Sequence, residues 1–262
     1  MKLGVNIDHI CVLRAARGVN DPDIIAAMFA AIKAGSDQIT VHLREDRRHI
    51  DDDDARRIKA LCKVPLNIEC SIDKDIINII ADIAPQRATL VPEKREELTT
   101  EGGLNTDAKG LEKAVETLKK SEIEVSLFIE PDLVAINKAK ELECEYIELH
   151  TGAFANLYLM LNSNLSQSKY SIKALELPRA KLKEMLKKEY ERIKAAAIYA
   201  KSLGLEVAAG HGLNYQNTPL IASIPQICEL NIGQSIIARS TITGLETAVK
   251  EMKELIKNCY EF

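Results

Sequence analysis

All five histidines of the chain come at or just after short apolar segments that are typical of β-strands. Imidazole exchanges protons near neutral pH, and the carboxylates and cations that follow the same segments would add acid–base groups and anion binding. One such residue alone is usually a structural polar group, whereas this many in the same relative position predict an acid–base site for an anion. The residues are His9, His42, His49, His150, His211, Asn6, Asp8, Arg44, Glu69, Glu130 and Glu148, with Arg14 and Arg17 nearby.

The apolar segments predict how the fold brings these residues together. Eight of them recur along the chain, and most are separated by stretches with the apolar spacing of helices. Eight strand–helix units in roughly 250 residues, without a linker, predict one closed (β/α)8 TIM barrel, a single α/β domain over residues 1–262. An open doubly wound sheet is the alternative. The predicted strands are 3–7, 38–43, 66–70, 88–91, 124–129, 145–150, 205–210 and 228–232, and the predicted helices include 21–35, 51–62, 73–84, 108–120 and 132–142.

Helix-boundary signals refine two of these helices. Asp21 followed by Pro22 predicts a cap with proline at the first helical position, and Gly35 predicts the end of that helix. An acidic run, 51–54, opens the next predicted helix, 51–62. It predicts a solvated first turn whose charges suit the positive end of the helix dipole, with a cation site as the alternative.

The 54 residues between predicted strands six and seven, 151–204, are too many for one loop and one helix. They predict an insertion near 156–180, followed by a long helix from about 181 to 203. The leucine, tyrosine and methionine content of this segment fits a subunit contact or a lid. It fits simple packing on top of the barrel equally well.

The loops that follow the strands of a barrel build its active site. Two glycine-bearing turns, 208–214 and 229–236, follow strands seven and eight, where many barrels hold a phosphate group. The loop 91–107 after strand four is long and charged and carries Gly102 and Gly103. It predicts a mobile lid that excludes water from bound substrate, with a static surface loop as the alternative.

Composition disfavours several classes of protein. The chain has 35 Lys and Arg against 39 Asp and Glu, a formal net charge of −4, so no overall basic field attracts nucleic acid or an anionic membrane. No run approaches the roughly 18 apolar residues of a membrane span, and the N-terminus lacks the sustained apolar core of a signal peptide. We therefore expect a cytoplasmic protein whose six cysteines, which form no C-x-x-C pair, are reduced.

Two kinds of catalytic group are disfavoured by residue position. A Schiff-base lysine would end a strand, whereas Lys63 precedes strand three and Lys94 lies in the loop after strand four. A metal site is an alternative, although no H-x-H or H-E-x-x-H pair occurs and Arg44 would repel a cation. Its ligands would be His42, Glu69, His150 and His211.

Eight motifs, in order along nearly the whole chain, resemble those of the pyridoxine 5'-phosphate synthase family of deoxyxylulose-dependent vitamin B6 synthesis. They are GVNIDHI (4–10), ITVHLREDRRHI (39–50), LNIE (66–69), LVPEKREELTTEGGL (90–104), VSLFIE (125–130), IELHTG (147–152), AGHGLN (209–214) and ELNIG (229–233). The resemblance implies a (β/α)8 barrel, often a homo-octamer, that acts as a transferase-class, ring-closing enzyme. It implies condensation of 1-deoxy-D-xylulose 5-phosphate with 3-amino-2-oxopropyl phosphate to pyridoxine 5'-phosphate, with release of phosphate and water and with no metal or organic cofactor.

The same resemblance implies roles for individual residues. His42 and Glu69 match general acid–base groups, and His211 matches the proton donor. Glu148 matches a group that stabilises charge in the transition state. The residues expected to bind deoxyxylulose phosphate are Asp8, His9, Arg44, His49 and Thr99. Those expected to bind the aminooxopropyl phosphate are Asn6, Arg17, Gly212, Gly233 and Gln234.

Two features depart from the family pattern. The residue after the strand-eight glycine is often histidine and here is Gln234, so only its backbone N–H is expected to contact phosphate. The insertion within 151–204 is longer than the usual connection and receives no role. The rival hypotheses are another phosphosugar isomerase or lyase on the same fold, which would have one phosphate site, and a catalytically silent barrel that binds a phosphorylated ligand. The retained acid–base residues disfavour the silent barrel.

Overall fold

Eight parallel strands form a closed barrel in the computed structural model, which describes residues 1–93 and 102–259. Each strand pairs with the next, and β8 closes the barrel by pairing with β1. The predicted (β/α)8 barrel is confirmed, and no strand boundary differs from its predicted position by more than one residue. The strands are β1 (Lys2–Asn6), β2 (Gln38–His42), β3 (Leu66–Cys70), β4 (Arg87–Leu90), β5 (Glu124–Ile129), β6 (Tyr146–His150), β7 (Glu206–Gly210) and β8 (Glu229–Ile232).

Helices surround the barrel and connect its strands. The helices predicted after strands one to five are present with shorter bounds, as α2 to α6, whereas α1 was not predicted. Among the helices of the described residues, none is both long and apolar enough to span a membrane. The helices are α1 (Asp8–Arg17), α2 (Ile24–Lys33), α3 (Asp52–Leu61), α4 (Lys74–Ile83), α5 (Leu111–Lys120), α6 (Leu133–Glu141), α7 (Gly152–Asn162), α8 (Arg179–Ser202), α9 (Thr218–Ala222), α10 (Gln234–Thr243) and α11 (Leu245–Asn258).

Alternate residues of each strand face opposite sides of the barrel wall because side chains in a strand repeat with a period of two. Outward side chains such as Val5, Ile39 and Ile68 are fully buried in the apolar layer beneath the helices. Inward side chains are largely polar, and Arg87 of β4 donates to Glu229 of β8 across the barrel at 2.8 Å. The barrel interior is therefore a hydrogen-bonded network that leads up to the carboxyl ends of the strands.

The unpredicted helix α1 begins two residues after β1. His9 therefore lies just after β1, as predicted, and in the first turn of this helix. Gly18 ends α1 in a left-handed conformation, with φ of 63°, which glycine adopts without strain. Asp8 accepts a hydrogen bond from the backbone N–H of His42, so the first turn of α1 lies against the end of β2.

The start of α2 corrects a second prediction. Asp23, rather than Asp21, caps the helix, and its carboxylate accepts a backbone N–H two residues later at 3.1 Å. Pro22 therefore precedes the cap instead of opening the helix. The predicted end of the helix is confirmed, because α2 stops just before Gly35, which has a φ of 102°.

The connection between β6 and β7 is helical along most of its length. Helix α7 follows β6 directly, two 3-10 turns span Leu165–Gln167 and Lys173–Leu175, and α8 then returns to β7. The prediction of an insertion followed by a long helix is confirmed in outline, with α8 starting at Arg179. A second apolar cluster, separate from the main core, joins α7 to α8 through Leu157, Met160, Leu161 and Leu182.

The acidic run at the start of α3 forms an ion pair with a neighbouring helix. Asp51 and Asp54 form a capping box, in which each carboxylate accepts the backbone N–H of the other residue. The buried Asp54 carboxylate also forms a two-bond ion pair with the guanidinium of Arg14 on α1. The prediction of a solvated first turn is therefore wrong for Asp54, whose ion pair fixes the helix that carries Asp8 and His9.

Replacing Asp54 with alanine should lower the free energy of unfolding by about 3 kcal/mol, because the partly buried Arg14 guanidinium loses its carboxylate and the helix loses part of its cap. The matched control is Asp53→Ala, in the same turn but exposed, which should change it by less than about 0.5 kcal/mol. Urea denaturation followed by circular dichroism measures both. Equal effects of the two substitutions would contradict this role for the ion pair.

Candidate active site

A cavity of about 340 Å³ lies at the carboxyl ends of the strands. Its wall combines side chains from β1, β3, β6 and β8 with the turns that follow β7 and β8. This is the face on which (β/α)8 barrels place their active sites. Eight residues predicted from the sequence line it: Asn6, His9, Glu69, Glu148, His211, Gly212, Gly233 and Gln234.

Asp8 joins the ends of β1 and β2 beside this cavity. Its carboxylate oxygens accept the backbone N–H of His42 at 2.9 and 3.1 Å, and its own N–H donates to Oδ1 of Asn6 at 2.9 Å. Burial raises the pKa of the Asp8 carboxyl to about 7, although these bonds favour the charged form. Asp8 therefore gains and loses a proton near neutral pH.

Two further carboxyl groups face the cavity. Burial raises the pKa of Glu148 to about 7, opposed by a hydrogen bond of 2.6 Å that its Oε2 accepts from Nδ2 of Asn231. Burial, together with the charges of Glu148 and Asp8, raises the pKa of Glu69 well above its ordinary value. Because neighbouring buried carboxyl groups resist being charged together, the barrel mouth offers proton donors and proton acceptors at the same pH.

A cationic group adjoins the carboxyl groups just beyond β2. Nε of Arg44 lies 3.2 Å from Oε1 of Glu93, and Nε2 of His42 lies 3.9 Å from the same oxygen. Burial, with a contribution from the Arg44 charge, lowers the pKa of His42 to about 3, so its imidazole is neutral at pH 7. Burial also lowers the pKa of His49, which lies within electrostatic range of Arg44.

Several buried polar atoms of this region lack a hydrogen-bond partner within the described part of the chain. An unsatisfied buried polar atom costs about 1–3 kcal/mol, so a ligand with hydroxyl or phosphate oxygens would stabilise the region by bonding to them. The atoms are Nδ1 of His9, Nε2 of His42, Nη2 of Arg44 and Nδ1 of His49.

His211 lies opposite this region, directly after β7. Its backbone has a φ of 76°, unusual for a residue other than glycine, and the Thr151 hydroxyl lies 2.7 Å from the His211 carbonyl oxygen, to which it donates. Burial, together with the neighbouring His150, lowers the pKa of His211 to about 4. The free site therefore holds His211 as a neutral imidazole at pH 7.

Two glycines bring backbone close to the cavity where no side chain would fit. Gly212 has a φ of 82°, and a Cβ there would lie 2.6 Å from Cβ of Ala155. A Cβ on Gly233 would lie 2.9 Å from Cβ of Asn6. Gly233 also precedes α10, whose N-terminus has no side-chain cap, so its first N–H groups are available to an anion.

The structure does not bring every predicted residue to the cavity. Arg17 is exposed at the end of α1 and does not line the cavity, and Thr99 lies outside the described residues. Most of the predicted lid, 91–107, also lies outside them. As for the alternative metal site, residues 1–93 and 102–259 contain no group of three or more His, Cys, Asp or Glu side chains placed to hold a metal ion.

Sequence reasoning missed Asn231 and Glu93. Asn231 lines the cavity and holds Glu148, while Glu93 is buried against Arg44. The available signal for Asn231 was its place two residues before Gly233, on the same face of β8 as Glu229. The available signal for Glu93 was its place three residues after β4, where a barrel strand opens onto the site.

A family model described as pyridoxal phosphate biosynthesis protein PdxJ matches residues 3–258. The chain belongs to the PdxJ family. Among its relatives, pyridoxine 5'-phosphate synthase of Campylobacter fetus subsp. fetus is 58% identical over 257 residues, which cover 98% of this chain and 100% of that protein. The synthase of Sulfurimonas denitrificans is 59% identical over 259 residues, covering 97% and 99%. Because its relatives in this family are named as synthases, this PdxJ chain is an enzyme.

Solved structures outside the PdxJ family share the barrel. KGPDC from Streptococcus mutans superposes with a TM-score of 0.61 and 11% identity, covering 99% of this chain and 98% of that one. N-(5'-phosphoribosyl)anthranilate isomerase from Pyrococcus furiosus gives a TM-score of 0.56 and 12% identity, covering 98% and 99%. At these identities the likeness shows the fold alone.

The raised pKa of Glu148 predicts a pH-dependent cost in stability for this PdxJ barrel. A folded-state pKa above the unfolded value means that stability falls as the pH rises from about 4.5 to about 7. Glu148→Gln can still accept the Asn231 hydrogen bond but carries no charge, so its stability relative to the unsubstituted protein should rise between pH 5 and pH 8, by roughly 1–3 kcal/mol.

Urea denaturation at each pH measures this difference. Glu116→Gln is the control, because the Lys120 hydrogen bond lowers the pKa of Glu116, so it should show no such gain. If the difference in the free energy of unfolding between Glu148→Gln and the unsubstituted protein stays constant from pH 5 to pH 8, ionisation of the buried carboxyl does not destabilise the protein and the prediction is contradicted.

Proposed function

We propose that the chain is a pyridoxine 5'-phosphate synthase that condenses 1-deoxy-D-xylulose 5-phosphate with 3-amino-2-oxopropyl phosphate, releasing inorganic phosphate and water. The observation that carries the proposal is one cavity lined by buried carboxyl groups, the neutral His211 and the glycine turn before α10, with the buried Arg44 within electrostatic range of Asp8 beside it. The name of its relatives supports the same activity. Imine formation, dehydration, phosphate elimination and ring closure all require protons to move on and off carbon and oxygen.

Two phosphorylated substrates require two anion-binding places. In the proposal, Asp8, His9, Arg44, His49 and Thr99 bind deoxyxylulose phosphate, and Arg44 and His49 lie near its phosphate. The unpartnered atoms of His9, Arg44 and His49 support this assignment. The aminooxopropyl phosphate binds at the glycine turns, where backbone N–H groups approach it. Its residues are Asn6, Gly212, Gly233 and Gln234 in the cavity wall, together with Arg17, which is exposed at the end of α1.

The acid–base roles follow from the protonation states of the free site. His42 and Glu69 act as general acid–base groups, because burial lowers the pKa of the imidazole to about 3 and raises that of the carboxyl well above its ordinary value. His211, neutral in the free site, acts as proton donor after the substrate phosphates raise its proton affinity. Glu148 stabilises positive charge that develops on the imine.

The proposal extends to the setting of the enzyme. The chain acts as a single barrel domain in the cytoplasm, without a metal or organic cofactor, and assembles as a homo-octamer. Exposed apolar side chains on separate helices, Val134 on α6 and Ile242 on α10, are suited to subunit contacts. Light scattering should give the mass of eight chains, and a monomeric mass would contradict the assembly.

The direct test incubates the purified protein with both phosphorylated substrates. Formation of pyridoxine 5'-phosphate, detected by chromatography and mass, is the expected result. Folded protein that forms none at any pH near neutral would overturn the proposal. A crystal soaked in inorganic phosphate should show two anions in the cavity, whereas a single anion would favour an isomerase or lyase.

Glu69→Gln should lower kcat by about 100-fold or more and change KM for either substrate by less than about three-fold, because it removes a proton carrier without changing the shape of the site. Glu45→Gln is a control of the same chemistry beyond the end of β2, where the side chain does not line the cavity, and it should keep near-normal kcat. Steady-state kinetics measures both. Unchanged turnover in Glu69→Gln would reject the proton-transfer role.

A further inference from the structure

Glu130, just after β5, holds together three parts of the structure outside the cavity. Its Oε1 accepts a hydrogen bond of 2.6 Å from Nδ1 of His150 and one of 3.1 Å from the backbone N–H of Gly103. Its Oε2 accepts one of 3.1 Å from Arg192 on α8. The hydrogen bond from His150 is the main cause that lowers the pKa of Glu130 to about 2, so the group is a carboxylate at neutral pH. None of the proposed catalytic roles uses it.

The ring of His150 lies between Glu130 and His211. Its centroid is 5.0 Å from that of His211, with the two rings edge to face, and Phe128 packs against both at 5.1 and 6.3 Å. A carboxylate only accepts hydrogen bonds, so it fixes a proton on Nδ1 of His150. The other nitrogen, Nε2, is buried and has no hydrogen-bond partner among the described residues.

Tight packing sets the distance between the two rings. A Cβ on Gly152, the first residue of α7, would lie 2.4 Å from Nε2 of His150 and 3.1 Å from Cδ2 of His211. The preceding Thr151 shares its hydroxyl hydrogen between the carbonyl oxygens of Gly210 and His211, each 2.7 Å away. The start of α7 therefore limits how far either ring can move toward it.

We propose that Glu130 and His150 are positioning residues for His211, which hold its ring in place and set its proton affinity. Through Glu130, this proton affinity also depends on the positions of α8 and of the chain at Gly103. The inference rests on the proposed function, because it concerns the proposed proton donor. Glu130 bonds at once to His150, Gly103 and Arg192, so a shift of either connected segment moves the partner of the His150 ring.

The direction in which a charge on His150 would change the proton affinity of His211 follows from their positions. A proton on Nε2 of His150 would place a positive charge beside His211 and oppose its protonation, which adds to the effect of burial on the His211 pKa. The Glu130 carboxylate stabilises that charge. The charged groups nearest this arrangement on the elements packed around His150 include Glu148 on β6 and Arg192 and Glu189 on α8, where Glu189 binds Arg192 at 2.6 Å.

His150→Asn tests the electrostatic half of the proposal. The asparagine amide can take the place of Nδ1 as donor to Glu130, but it carries no charge at any pH. We expect the midpoint of the His211 titration to rise by about one pH unit, because the opposing charge is gone. Nuclear magnetic resonance of the protein labelled in its histidine rings measures this, since the chain has only five histidines. An unchanged His211 midpoint in the folded variant would overturn the proposal.

Glu130→Gln and Glu189→Gln test the positioning half. Both remove a carboxylate that binds Arg192, but only Glu130 also bonds to His150. We expect Glu130→Gln to lower kcat about ten-fold, with KM for both substrates within about two-fold, and to move the pH profile of kcat. Glu189→Gln should stay near the unsubstituted enzyme. Equal losses in the two variants, or an unchanged pH profile in Glu130→Gln, would overturn the proposal.

The two experiments separate this inference from the proposed function. The titration of His211 is measured without substrate, so it tests the electrostatic link even if no pyridoxine 5'-phosphate forms. Formation of product with an unmoved His211 midpoint in His150→Asn would instead support the proposed function and reject the link. Circular dichroism of each variant confirms that the barrel is folded.

Discussion

Removing carboxyl groups from water is the constraint on which the barrel mouth depends. The chain places Asp8, Glu69 and Glu148 where water is largely excluded, and each therefore resists ionisation. Hydrogen bonds among the polar side chains inside the barrel, below these carboxyl groups, offset part of the cost of burying them. Gln38 donates to both Glu229 and Oδ1 of Asn231, which fixes the Asn231 amide so that its Nδ2 points to Glu148. The site is thus held by hydrogen bonds that begin deep inside the barrel.

The sequence predicted best those features that depend on local patterns along the chain. Short apolar segments separated by helical stretches predicted the barrel, and polar residues at strand ends predicted five residues of the cavity wall, because the closed sheet brings all its carboxyl ends to one face. It failed where a residue's partner is distant in the chain. Asp54 looks like a solvated cap until Arg14, 40 residues away, is packed against it. Helix α1 was missed because no side chain caps its start.

The net charge of −4 had left open how such a chain would bind anions. Arg44 is buried in the structure and shares its charge with Glu93, so the positive potential beside the cavity is partly neutralised before a ligand arrives. Burial raises the pKa of Glu93, so this carboxyl takes up a proton more easily than an ordinary glutamate does. A phosphate approaching Arg44 competes with this carboxyl, which is a source of selectivity for strongly charged ligands.

The seam at which β8 pairs with β1 has a consequence for the synthesis of the protein. Asn6 and Gly233 face each other across this seam, although they are the first and nearly the last residues of the cavity to leave the ribosome. A nascent chain that stops before β8 has neither Asn231 to hold Glu148 nor the glycine turn of α10. The wall of the cavity is therefore complete only once the last strand has joined the first.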